Sequence, residues 1–209
     1  MNPQTKTLFI NQPYLILLVG LPGSGKTFFA EKFAQAFNTT FLNLNDLRFE
    51  LFAEPNFSKD EESHLEKIGR AFLPELMRSK RAIMIEGSLE ARSDRQVYRQ
   101  IARKNGYEVL TVWVQNTEPT ARLRSTKNIK LAPRKYLLTN EQFDIMTKRF
   151  TTPNSLENPV VISGNHTFST QARSVLRHLT HQDGPVLAPH PIMPNRPANH
   201  ANVKTRRFI

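Results

Sequence analysis

Cysteine is absent from the chain, which removes disulfides, thiolate metal sites and cysteine nucleophiles together. Long apolar runs are missing too. The longest, Tyr14 to Leu21 with Gly20 left out, falls far short of the ~20 residues of a membrane-spanning helix, and no cleavable signal pattern precedes it. The expectation is a cytoplasmic protein with no membrane partner. Its six histidines are scattered without metal-ligand spacing, and neither a Ser-His-Asp arrangement nor a two-carboxylate hydrolase pattern stands out. Acidic residues are also scarce: 18 Asp and Glu stand against 29 Lys and Arg, for a formal net charge of +11. Such a field favours anionic partners, whether nucleotides, phosphorylated acceptors or nucleic acid, without choosing among them. Solubility alone is the plainer alternative.

What is present alternates between two periodicities. Tyr14-Leu15-Ile16-Leu17-Leu18-Val19, continuous and apolar between Pro13 and Gly20, predicts a strand buried on both faces. Phe29, Ala30, Phe33, Ala34 and Phe37 then recur at helical spacing from about Lys26 to Phe37. Further strands are expected over Thr40 to Leu44, Arg81 to Glu86, Tyr107 to Val114 and Val160 to Ile162. Helices are expected after Ser58, over Ser93 to Lys104, from Pro119, from Thr139 to about Arg149, and through Ala172 to Leu179. Alternation of this kind predicts an α/β fold of three layers with a mostly parallel central sheet, whose ligand crevice lies at the carboxyl ends of the strands. A basic, weakly periodic stretch from Arg122 to Lys135 suits a lid segment between helices. Residues 1–182 form the expected domain. Residues 183–209 hold five prolines and a basic end without periodicity, the composition of a disordered tail. The tail shows no RNA-binding motif and no stacking platform beyond Phe208.

Gly20-Leu21-Pro22-Gly23-Ser24-Gly25-Lys26-Thr27 sits where the first strand passes into the first helix. Glycines at those places let backbone N–H groups wrap a phosphate, while the helix N-terminus adds the positive end of its dipole. Gly20, Pro22, Gly23, Ser24, Gly25, Lys26, Thr27 and Phe28 are therefore the candidate contacts for ATP. Lys26 would reach the β- and γ-phosphates, and Thr27 would give a hydroxyl to Mg²⁺. Glu86 closes the third strand, the place for an acidic group near the metal. Asp46 follows the second strand as either an acceptor of a substrate proton or a helix cap. Arg48 and Arg95 are candidates for an anionic acceptor. Arg122, Arg124, Lys127 and Lys130 would carry lid cations onto the transferring phosphoryl group, with Arg124 as the catalytic candidate.

These residues resemble the AAA-type P-loop kinase family that includes the 5′-polynucleotide kinases of phages. The likeness covers about Tyr14 to Leu179 and rests on residues 20 to 27, on Asn45-Asp46-Leu47-Arg48, and on Ile85-Glu86-Gly87-Ser88 with Arg95. It implies a kinase moving the γ-phosphoryl of ATP to a hydroxyl. It also implies an acidic pair after strand two, with the first acid as general base. Asn45 stands in that first place and cannot accept a proton, so Asp46 takes the task or hydroxyl phosphorylation is absent. The lid keeps, in Arg124 to Asn128, one of the two arginines that the resemblance implies. Asn45 thus leaves a second reading open, a nucleotide-responsive binding module or ATPase without transfer. A third is a zeta-toxin-like kinase of sugar nucleotides, whose acidic substrate motif is poorly matched.

Overall fold

The computed structural model describes residues 12–127 and 137–181, with the side chain of His181 excepted. Lys130, the middle of the expected lid and the tail at 183–209 lie outside the described residues.

Five strands, β1 (Tyr14–Val19), β2 (Thr40–Asn43), β3 (Ile83–Glu86), β4 (Glu108–Gln115) and β5 (Val160–Ser163), pair in the order β2-β3-β1-β4-β5. Every pairing is parallel. All six residues of β1 are buried, as its uninterrupted apolar run demands of a central strand. Alternate residues feed two cores. Ile16 and Leu18 face Phe29, Phe33 and Val175, whereas Leu15 and Leu17 face Leu44, Leu73 and Tyr98.

The first of those cores is covered by α1 (Lys26–Phe37) and α7 (Phe168–His181), and the second by α2 (Leu44–Leu51), α3 (Lys59–Met77) and α4 (Arg92–Lys104). Helices α5 (Glu118–Thr126) and α6 (Asn140–Arg149) flank the lid segment. Helices α3 and α6 start at capping residues: the hydroxyl of Ser58 accepts from Glu61 N–H, and Thr139 forms a reciprocal box with Gln142. Since α1 leaves β1 toward one face of the sheet and α4 follows β3 on the other, the chain diverges where β1 and β3 lie side by side. That divergence opens a crevice at their carboxyl ends. Among the described residues no helix is long and apolar enough to cross a membrane.

The end of the second strand differs from the sequence reading. Leu44 begins α2 and does not end β2, because the side chain of Asn43 accepts from the backbone N–H groups of Asn45 and Asp46 and starts a helix there.

Candidate functional site

Parallel pairing of β1 with β3 sets Leu18 beside Glu86, so the carboxylate emerges next to the loop that begins at Gly20. That loop needs its glycines. Gly23 and Gly25 have φ of 74° and 107°, in the left-handed region that side chains disfavour, and a Cβ on Gly23 would lie 2.2 Å from the carbonyl oxygen of Ala121. Gly25 caps α1, whose first residues are Lys26 and Thr27. The buried hydroxyl of Ser24 has no hydrogen-bond partner among the described residues.

Lys26 Nζ donates to the carbonyls of Gly20 and Leu21, both at 3.0 Å, and lies 3.8 Å from Glu86 Oε1. Thr27 Oγ1 is 3.0 and 2.9 Å from the two oxygens of the same carboxylate. Burial pushes the Glu86 carboxyl above its ordinary range, against the pull of Lys26 and Thr27, and the charges of Asp46 and Glu31 add to the rise. Asp46 is thus a near electrostatic neighbour of Glu86, exposed in the first turn of α2 where its charge suits the helix dipole. The backbone amide and side-chain oxygen of Asn45 lie 3.1 and 3.2 Å from where a Cβ on Gly87 would be, so Asn45 packs toward the turn after β3.

A hydroxyl and a carboxylate at a helix mouth are hard oxygen donors suited to Mg²⁺, and the unpaired Ser24 hydroxyl beside a glycine cradle suits a polyphosphate. No group of three or more His, Cys, Asp or Glu that could hold a metal ion exists among the described residues. The donor set therefore fits a metal held jointly with a nucleotide.

The family model for the AAA domain matches residues 15–153, more than half of the chain. This chain belongs to the AAA domain family. The fold of this AAA domain is similar to that of a gluconokinase from Sinorhizobium meliloti 1021, with TM-score 0.60, 17% identity, and 80% of this chain and 91% of that chain covered. Kti12 of Chaetomium thermophilum, solved with ADP-AlF3, gives TM-score 0.59 at 18% identity, covering 79% and 96%. The Mycobacterium tuberculosis APS kinase CysC, solved with AMPPNP and APS, gives 0.58 at 17% identity, covering 80% and 97%. No curated protein matches the sequence.

Two candidates of the AAA domain are not presented to an acceptor. Arg95 is fully buried: Nε and Nη2 meet the two oxygens of Glu157 at 2.6 and 3.0 Å, and Nη1 donates to the carbonyls of Leu89 and Glu90. Its expected role on an anionic acceptor is corrected, because no donor faces outward; it pins α4 to the turn before β5. Arg48 is 1% exposed, paired through Nη1 with Glu61 at 3.0 Å and through Nη2 with Glu62, under the ring of Phe57. The expectation that it clamps an anion is corrected for the same reason.

The lid cations divide. Arg122 is tied to Glu118 and Asp144 at 2.9 and 2.7 Å. Half-buried Arg124 reaches across to the loop after β5, donating to Gly164 O at 3.2 Å and Asn165 Oδ1 at 2.9 Å, while Lys127 is exposed. Phe28, 49% exposed, lies under Lys32. A cleft of about 470 Å³ opens between Leu21, Trp113, Asn116, Phe150 and Asn165.

Sequence reasoning passed over Gly164, although a Cβ there would lie 1.8 Å from Ser24 O. Its signal was available as a glycine directly after the last strand. The pairing of Glu61, Glu62 and Glu157 with Arg48 and Arg95 was also missed, because no local spacing marks it.

Proposed function

We propose that this AAA domain is a Mg²⁺-dependent kinase that moves the γ-phosphoryl group of ATP to a hydroxyl acceptor. The observation that carries the reading is the convergence of Lys26, Thr27 and Glu86 at the mouth of α1, with Asp46 in electrostatic reach of Glu86. Backbone amides from Gly23 to Thr27 would hold the polyphosphate, and Lys26 would exchange its loop carbonyls for phosphate oxygens. Thr27 and Glu86 would hold the metal. Bound Mg²⁺ supplies charge neutralisation on the polyphosphate. Asp46 would accept the proton of the attacking hydroxyl, and Arg124, released from Gly164 and Asn165, would meet the developing charge.

The test is transfer of label from γ-labelled ATP. Lys26→Ala is expected to lower turnover by about 10²–10³-fold with the thermal midpoint without nucleotide kept. Asp46→Asn is expected to lower kcat without changing ATP affinity. Full turnover by the Lys26 variant would overturn the proposal. The binding-module reading is favoured by one observation, the side chain of Asn45 turned toward Gly87 in place of an acid. Nucleotide uptake by calorimetry with no turnover on any acceptor would support it over the kinase.

A further inference from the structure

The face of the sheet that carries α1 and α7 holds a groove remote from the P-loop chemistry. Each of these helices follows a strand of a parallel sheet and runs back against it, so their ends at Phe37 and His181 return to the edge where β1 begins. Between them a cavity of about 480 Å³ opens to the surface. Phe37, Phe168, Ala172 and Leu176 give it an apolar floor, and exposed Arg173 and Arg177 stand one helical turn apart at its rim. The groove follows α7 from Phe168 to Thr180, about 18 Å at the helical rise of about 1.5 Å per residue. Half-buried Phe37, Phe168 and Leu176 pack on the same core as Tyr14, the first residue of β1. The chain thus enters the sheet beneath the groove.

Charge and reach choose the occupant. Arg70, Arg78 and Arg122 each find a carboxylate within about a turn of their own helix, but α7 holds no acidic residue. Arg173 and Arg177 pair with no carboxylate among the described residues. A second copy meeting this face with its own, across a two-fold axis, would bring four guanidinium groups together. Like charge opposes that contact. The tail follows the end of α7, so it must reverse direction before Val186 and Leu187 can reach the floor, and it brings Lys204, Arg206 and Arg207 with it. Leu8-Phe9-Ile10 meets neither obstacle. Residues 7–13 carry no charge, and Ile10 and Leu8 stand four and six residues before Tyr14. At the rise of extended chain those spacings reach about 13 and 20 Å, the length of the groove. The carbonyls of such a strand can accept from Arg173 and Arg177.

We infer that the groove between α1 and α7 is the seat of Leu8-Phe9-Ile10 of the same chain, laid back along the two helices. Seated there, the three side chains cover Phe37, Phe168 and Leu176 and tie the end of α1 to α7. Because α1 begins at Lys26, the helix that carries the P-loop lysine is braced at its far end. The inference does not depend on any reaction at the P-loop.

Since the chain has no cysteine, one introduced thiol takes a spin label at one place only. The full chain is labelled at Arg173→Cys and its amide signals are followed by nuclear magnetic resonance. Leu8, Phe9 and Ile10 are expected to lose most of their intensity, while Val186 and Leu187 keep theirs. A label at Glu75→Cys, exposed on α3 across the sheet, is expected to spare all five. Should the Arg173 label disturb the groove, Ser169→Cys takes its place. Mixing labelled chain with unlabelled nitrogen-15 chain reads contact between copies, and none is expected. Phe9→Asp is expected to restore the signals of Leu8 and Ile10 and to lower the thermal midpoint by about 2–4 °C, whereas Leu187→Asp changes neither. Loss of intensity at Val186 and Leu187 in place of residues 8–10, loss only between copies, or full intensity at residues 8–10 with both labels overturns the inference.

Discussion

The two walls of the crevice handle positive charge in opposite ways. On the nucleotide wall, Lys26 holds only loop carbonyls and a carboxylate at 3.8 Å, partners that a polyphosphate can replace. On the facing wall and behind it, Arg48 and Arg95 are each locked by carboxylates and less than 2% exposed. A cation close in sequence to a P-loop element is therefore no guide to its availability. What decides is whether the fold supplies a buried acid for it, since an unpaired guanidinium in a core costs far more than a paired one.

The comparison breaks most visibly at Arg95. Arg95→Ala strands the Glu157 carboxylate, so a stability loss of about 3–5 kcal/mol is expected in urea unfolding, with ATP affinity of the folded fraction kept. Arg95→Lys is expected to recover little, because one ammonium cannot span both oxygens and two carbonyls. A variant of normal stability with a raised acceptor KM would return Arg95 to the acceptor site. Next in size is Gly164→Ala, whose Cβ would fall 1.8 Å from Ser24 O. Relief requires the P-loop backbone to move, so about 1–3 kcal/mol of stability is expected to go. Calorimetry is expected to show ATP affinity falling with it, the joint loss that separates this position from Arg95.

The same contrast explains what was legible. The apolar run Tyr14 to Val19, the Phe29, Phe33 and Phe37 stripe and the P-loop are local signals, each readable within a dozen or so residues because burial period and backbone freedom are local properties. The start of helix α2 was set too late, at Asp46 as a possible cap, because its actual cap, Asn43, also reads as the end of a strand. The partner of Arg95 lies 62 residues away and that of Arg48 13 residues away, on elements whose approach only the tertiary fold determines. Both arginines were correctly located after their strands. Their orientation was set by acids that no spacing rule joins to them.

The smallest effect is the one with the most telling sign. Glu86 and Glu157 are both buried, and burial alone pushes each carboxyl up. For Glu157 the hydrogen bonds from Arg95 and the Asn154 N–H, with the charges of Arg95 and Arg99, outweigh that push and hold it below its ordinary 4.5. Its stabilisation is present above the unfolded value and is lost as pH falls through the folded one. Glu86 is the reverse case, raised above 4.5 in the folded chain. The native state then keeps its proton longer than the unfolded state, so stability declines as pH rises from about 4.5 through the raised value. Glu86→Gln removes that decline. Scanning calorimetry without nucleotide is expected to show the variant melting about 2–4 °C above the unaltered chain at neutral pH, the shift equivalent to about 1 kcal/mol, with the two converging in acid. The gain in melting temperature on adding Mg²⁺ and ADP is expected to shrink in the same variant. A carboxylate that costs stability until a divalent ion arrives belongs to a site for ligands; one that the protein has already paired, like Glu157, belongs to the scaffold.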